Sequence, residues 1–332
     1  MVVGINIANR KSGFTLVELI IVIVMVGILA GITIVAYGDW NGRLARDSVK
    51  SELKLAAVSI EQAKNFGSGY PQGVPSTFKS GESVAVAGGG STDGQSFCLQ
   101  AGSTKASGVV YYIDGPNKEP QSGRCPSLGL VGWWPMNGSS FDLSGSGNDG
   151  TTYNVSSATG QNGKKDNSYS FSGISSYILH QTNSITPTSG TISVWVNPTV
   201  QNGWGVWQTY NSTSVNFNDW IAVFPHSNTN TYFRFGSGSS CCTDLTYNTA
   251  SYIPVNQWTH IAFTWGSGTM RNYVNGNPIG QRSATFPTTI NGFARIGTGH
   301  NAGMQGSLDD MRIYNRPLQQ SEIQAIYDSG AQ

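Results

Sequence analysis

The sequence predicts three parts in series: a long N-terminal helix that begins in a membrane, a small α+β head, and an all-β sandwich. Three observations carry this reading. Residues Leu19 to Tyr37 form an apolar run broken only by Thr33, long enough to cross a bilayer core as a helix. Past that run, apolar residues recur at three- and four-residue steps, and no proline interrupts the chain between Phe14 and Phe66. Beyond residue 127, Gly, Ser, Thr and Asn crowd between Trp, Tyr, Phe and β-branched residues, the texture of many strands joined by tight turns.

At 332 residues the chain is longer than one typical domain. Charged residues make up 11% and the net charge is +1, which argues against nucleic acid as a partner, since that binding leans on many Lys and Arg contacts to phosphate. The four cysteines, Cys98, Cys125, Cys241 and Cys242, form no CxxC pair and have no His cluster beside them, so a zinc site is not expected. An even count in an exported protein favours disulfides. Of the three possible pairings, Cys98 with Cys125 is preferred, and closing that loop would contribute about 3–4 kcal/mol in the chain-entropy model. Cys241 and Cys242 are neighbours, either a vicinal disulfide or two independent thiols.

The first element is the apolar helix. Arg10 and Lys11 precede it, which places the N-terminus on the cytoplasmic side. A secretory signal would have a shorter apolar core ending in a small-residue cleavage box, and none follows here. Glu18 stands at the mouth of the apolar segment, where a charge is expensive unless paired. Physics alone leaves two readings for it: a partnered carboxylate, or a helix-end carboxylate in the headgroup region favoured by the helix dipole.

The run Lys11-Ser12-Gly13-Phe14-Thr15-Leu16-Val17-Glu18-Leu19-Ile20 resembles the class III leader of type IV pilins and type II secretion pseudopilins. The resemblance implies that residues 1–13 are a prepilin leader, cut after Gly13 by a prepilin peptidase that also methylates the new amino terminus, Phe14. It implies that Glu18 pairs with the Phe14 ammonium of a neighbouring subunit in a filament. Residues 14–66 are then the transmembrane and assembly helix, about 80 Å long at 1.5 Å per residue. Its amphipathic half carries Leu44, Val49, Leu53, Ala56, Ile60 and Ala63 on one stripe, and Gly27 and Gly31 suit close helix packing.

Residues 67–126 read as the small head. Ser96–Gln100 and Val109–Asp114 look like hairpin strands, and Gly88-Gly89-Gly90-Ser91 reads as a flexible loop. The region resembles the heads of minor pilins, where a disulfide pins the C-terminal loop.

Residues 127–332 carry Leu130-Val131-Gly132-Trp133-Trp134-Pro135, Asp142 to Thr151, Thr191–Val196, Gln257–Trp265 and Gly306–Leu318 in that order. These blocks resemble laminin-G-like, concanavalin A-like jelly-roll modules. The alternation of Ile192, Val194 and Val196 independently supports strands with one buried face. Asn275-Gly276 fits a two-residue hairpin turn.

The fold hosts glycan-cleaving enzymes, which need a pair of carboxylates. Past residue 127 the only glutamate is Glu322, in a terminal helix, and Asp309-Asp310 are expected to point to opposite faces of a strand. His180, His226, His260 and His300 are scattered, and His260 reads as a half-buried structural histidine. Catalysis is not expected. Asp142 and Asn148 lie in a turn rich in oxygen donors that suits Ca²⁺, and the resemblance brings Asp309 to the same site; the alternative is that they cap turns through Asx hydrogen bonds. Most of the nine tryptophans fall on core strands, but Trp204, Trp207 and Trp220 fall in and at the end of a less patterned stretch, Asn202 to Asp219, where exposed aromatics would serve as a ligand surface.

The sequence thus predicts a structural and adhesive subunit of a type IV pilus-like filament, minor or at the tip, displaying a module for glycan or protein. Its partners would be other pilin subunits in a homo- or hetero-oligomeric filament, the prepilin peptidase with its inner-membrane assembly machinery, and an extracellular ligand. It would sit in the cytoplasmic membrane as a single-pass protein, N-terminus inside, before moving into an extracellular pilus. The alternatives are a pseudopilin of a secretion or DNA-uptake machine and, further off, a glycan-active enzyme.

Overall fold

The computed structural model describes residues 16–330 except 92, 93, 117, 126, 127, 202, 211–219, 228, 229, 238, 239, 248, 291, 300 and 301; side chains are also left aside at 30–39 and, within 210–250, everywhere but Arg234 and Leu245. Gly13 and Phe14 therefore lie outside the described residues, as do the side chains of Cys241, Cys242 and Trp220. The chain forms two compact units, residues 1–44 and 45–332.

The first unit holds the start of the helix Leu16–Asn65, with Glu18 in its first turn. Leu19 to Leu29 present an apolar surface on every side, with Ile23 and Leu29 more than half exposed. Among the described residues no helix is long and apolar enough to cross a membrane, and the side chains of 30–39 fall outside that set.

In the second unit the same helix turns amphipathic. Val49, Leu53, Ala56 and Ile60 are fully buried and pack with Tyr70, Val84, Phe97, Leu99, Ala101 and Ile113. Their spacing of four, three and four residues puts one stripe against the head. The head is a four-stranded antiparallel sheet in the order Val84–Gly90, Phe97–Ser103, Val110–Ile113, Gln121–Ser122. Cys98 and Cys125 are joined in a disulfide with their Cα atoms 6.1 Å apart, inside the range a disulfide spans.

The glycine run expected as a flexible loop is instead part of a strand, Val84–Gly90, paired along its length with Phe97–Ser103. Glycine is needed because the chain at 70–73 lies directly on the sheet. A Cβ on Gly89 would meet the carbonyl oxygen of Gln72 at 2.1 Å, and one on Gly90 that of Tyr70 at 2.4 Å.

The sandwich has two antiparallel sheets. The back sheet runs Asn277–Ser283, Thr269–Val274, Thr259–Gly266, Gly190–Pro198, Gln305–Tyr314, Ser168–Ser172, Ser156–Ala158, with Leu130–Trp134 also paired to Gln305–Tyr314. The front sheet runs Ser240–Tyr247, Asn230–Ser237, Trp220–Ser227, Trp207–Tyr210, Phe293–Ile296, Tyr177–Gln181, Thr151–Tyr153. Their inward residues, among them Ile192, Val194, Val196, Phe263, Trp265, Ile178 and Ile296, form the main core. Asn275 and Gly276 take φ of 48° and 79°, the doubly positive geometry that matches strand twist in a two-residue hairpin.

The outer face of the back sheet is covered. Leu130, Trp133, Ala262, Tyr273 and Tyr314 pack with Ala87 of the head and with Leu318, Ile323 and Ile326 near and on the C-terminal helix Gln320–Gly330. Head and sandwich therefore share a hydrophobic cluster.

Candidate ligand-binding face

Of the two sheets, the front one keeps an outer face whose described side chains reach solvent. Alternation along its strands decides what lies there. Ile178, His180, Trp207, Ala294 and Ile296 point inward and are buried. Tyr177, Leu179, Gln208, Phe293 and Arg295 point outward, and register lines up Thr151, Leu179, Arg295 and Gln208 across four strands. Tyr153 sits directly opposite Tyr177, and their rings stack 4.7 Å apart at 24°. The Arg295 guanidinium lies 4.1 Å from the centre of the Tyr177 ring, a cation–π contact that fixes a long, mobile side chain over the aromatic pair. Tyr153 and Phe293 are each 40% exposed, so this is an aromatic surface and not a sealed core.

The inner side of the sheet braces this platform. His180 is buried, its Nε2 accepts from the Trp207 indole N–H at 2.9 Å, and its Nδ1 donates to the Gln181 carbonyl at 2.6 Å. Burial lowers its pKa to about 4, so the ring is neutral and holds Trp207 in place. Sugar rings offer apolar C–H faces and a rim of hydroxyls. The stacked tyrosines match the first, and Arg295, Gln208 and Gln181 match the second.

The aromatics expected to bind ligand fall elsewhere. Trp204 and Trp207 are fully buried in the main core and present no face to solvent, because both fill the gap between the sheets. Trp220 begins the strand Trp220–Ser227, with its side chain outside the described residues.

The expected calcium ligands are used in hydrogen bonds of the fold, Asp142 and Asn148 to each other and Asp309 to Gln161. The Asp142 carboxylate accepts four hydrogen bonds from its own neighbourhood, at 2.8–2.9 Å: Oδ1 from the Trp133 and Ser144 N–H groups, Oδ2 from Ser144 Oγ and the Asn148 N–H. Burial pushes its carboxyl up, and those donors pull it back. The Asn148 amide donates to the Val131 and Asn183 carbonyls and accepts from the Asn183 N–H. Asp309 is bonded elsewhere, its Oδ2 accepting from the Gln161 N–H at 3.1 Å. Among the described residues no group of three His, Cys, Asp or Glu side chains is gathered for a metal. Donor N–H groups aim at Asp142 where a cation would have to sit, so this trio does not fit Ca²⁺.

What the loop holding Asp142 does is dock the sandwich on the head. Gln100, fully buried in the head, donates to the Leu143 carbonyl at 2.6 Å and accepts from the Cys125 N–H at 2.9 Å. Arg124 reaches Ser146 at 3.0 Å, and Ser107 donates to Asp149.

Two further expectations change. Asp309 and Asp310 were expected on opposite faces, yet both line one crevice beside the head. The strand is irregular opposite Ser193 and Trp195, and Asp310 has φ of 45°, so a bulge breaks the alternation. His260 is fully buried, not half-buried, with its Nε2 2.8 Å from Ser193 Oγ beneath Trp195 and Tyr327. Ser193 is equally buried, which keeps that pair from any substrate.

Residues 171–324 match the model of the concanavalin A-like lectin/glucanases superfamily, and residues 8–34 match that of the prokaryotic N-terminal methylation motif. Two curated proteins of Moraxella bovis, a type IV major alpha-pilin and fimbrial protein Q, are each 40% identical over 55 residues. The match covers 17% of this chain and 35% of each pilin, so the chain spans about a third of the length of these relatives. Among solved structures, domain 4 of an extracellular GH43 arabinanase from Geobacillus stearothermophilus, in complex with arabinotriose, is 23% identical, with a TM-score of 0.50 over 61% of this chain and 98% of that one. The binding domain of Paraclostridial Mosquitocidal Protein 1 is 21% identical, with a TM-score of 0.50 over 61% of this chain and 52% of that one. At these identities the likeness is one of fold.

Proposed function

We propose that this chain, in which an N-terminal methylation motif is joined to a concanavalin A-like domain, is a non-enzymatic subunit of a type IV pilus-like filament that presents the front sheet as a glycan-binding face. The observation that carries the reading is the contrast between the two sheets. The back sheet is occupied by head and helix, while the front sheet keeps a stacked Tyr153–Tyr177 pair capped by Arg295 in the open. The arabinotriose held by the arabinanase domain supports a sugar as the class of ligand.

The N-terminal half supplies the assembly role. On this reading the precursor is a single-pass protein of the cytoplasmic membrane with its N-terminus inside. A prepilin peptidase cuts between Gly13 and Phe14 and methylates Phe14, and Glu18 pairs with the Phe14 ammonium of a neighbouring subunit. In the second unit, the helix side away from the head leaves Leu55 and Val58 exposed at 57% and 53%, and Phe66, just past the helix end, is 94% exposed. Apolar residues at such spacing suit packing against further subunits. A head enlarged by a whole sandwich is bulky for a repeating shaft, which favours a minor or tip position.

The test is glycan-array binding by the detergent-solubilised full chain or by filaments containing it. Arg295→Ala and Tyr177→Ala should each weaken binding of the selected glycan roughly tenfold, the scale of one cation–π contact plus lost stacking. Unchanged binding in both variants would remove the front sheet as the ligand site.

A further inference from the structure

Head and sandwich leave between them a crevice of about 820 Å³. Phe78 of the head and Pro135 of the sandwich form apolar parts of its wall. Its rim gathers four ammonium groups: Lys79 and Lys105 from the head, Lys164 and Lys165 from the turn between Ser156–Ala158 and Ser168–Ser172. Lys164 and Lys165 are the only lysines beyond residue 127, so their position here is not the by-product of a basic sandwich.

The acidic groups of the crevice offset this charge only in part, since four lysines face two rim carboxylates. Glu82 and Asp166 share the rim with the four lysines. On the floor, Asp310 is engaged by Arg312 at 2.7 Å and by the Trp133 indole N–H at 2.8 Å. Asp309 accepts from the Gln161 N–H, and burial holds its carboxyl well above the usual carboxylate range. Two amide oxygens along the same crevice, Gln161 Oε1 and Asn137 Oδ1, are buried without a hydrogen-bond partner, a state disfavoured until a donor reaches them.

We propose that this crevice is a second binding site, separate from the front sheet, for an acidic saccharide: hydroxyl-rich rings bearing carboxylate or sulfate groups. The anionic groups meet the lysines, whose compact, freely rotating ammonium groups tolerate varied geometry. Ring hydroxyls donate to Gln161 and Asn137, and C–H faces rest on Phe78 and Pro135. Both parts of the protein build the site, so neither a head nor a sandwich alone would contain it.

Calorimetric titration of the detergent-solubilised full chain with trigalacturonate, a heparin-derived hexasaccharide and maltotriose tests this. At least one of the two acidic probes should bind, losing affinity as salt rises, while maltotriose stays out of the crevice. Lys164→Ala with Lys165→Ala should weaken acidic-probe binding roughly tenfold. Lys118→Ala, an exposed lysine paired with Asp114 outside the crevice, should leave it unchanged. Carboxylate and sulfate sources are told apart by which acidic probe binds more tightly. Binding of neither acidic probe, equal loss of maltotriose binding in the double variant, or an unchanged affinity in that variant overturns the proposal.

Discussion

Asp142 shows how far a carboxylate can be consumed by its own loop. Four donors within 2.9 Å leave it no lone pair directed outward, and the fold around it runs from Trp133 to Asn148. Removing it strands those donors in a buried place, so Asp142→Ala should destabilise the protein by on the order of 3 kcal/mol. A chelator should leave the wild-type melting temperature where it is. A fall in melting temperature on chelation, restored by calcium and absent in Asp142→Ala, would return this loop to the metal. The same loop carries Leu143 against the head, so the loss should also weaken docking, which Gln100 links directly to the disulfide.

At the scale of the element, the long helix has two jobs set by two sequence patterns. Its start is apolar all round, and its later turns bury only the Val49, Leu53, Ala56 and Ile60 stripe. Leu44, which the periodicity would put on that stripe, is 52% exposed, and Ala63 is only partly buried. Glu18 lies in the exposed first turn, within the residues that match the N-terminal methylation motif. Glu18→Ala should therefore leave membrane insertion intact, since the segment becomes more apolar. On the proposed pairing, incorporation into filaments should fall sharply, because a neighbour's Phe14 ammonium would lose its partner in a low-dielectric setting. Normal subunit content in filaments of the mutant would refute the pairing.

At the scale of the molecule, the sandwich is not a bead on a string. A buried cluster and the Gln100 bridge join it to the head, and a Cβ on Gly73 of the head would meet Ala325 of the C-terminal helix at 2.9 Å. Such continuity predicts one cooperative transition for residues 45–332 when the full chain is heated in detergent. Gln100→Ala should lower that transition, by on the order of 2 kcal/mol, because the Leu143 carbonyl and Cys125 N–H lose their buried partner. Two separated transitions in the wild type would show that head and sandwich are independent.

The order of the parts was legible from sequence because it rests on local signals. The apolar run, the three-to-four-residue periodicity, the alternating strands and Asn275-Gly276 each depend on neighbours close in the chain. The Cys98–Cys125 pairing was legible too, and the structure forms it. What sequence missed depends on which distant strands lie side by side. Tyr153, Tyr177 and Arg295 come from three short strands, and nothing local says they stack. Trp204 and Trp207 look like free aromatics until the second sheet closes over them. Gly88 to Gly90 look like a loop until the chain at 70–73 is laid on top of them. Sequence alone determined the three parts and their order, because helix and strand periods are written in short-range chemistry. Only the tertiary structure decided which face is open, which carboxylate is already satisfied and where the lysines meet, because those follow from long-range packing.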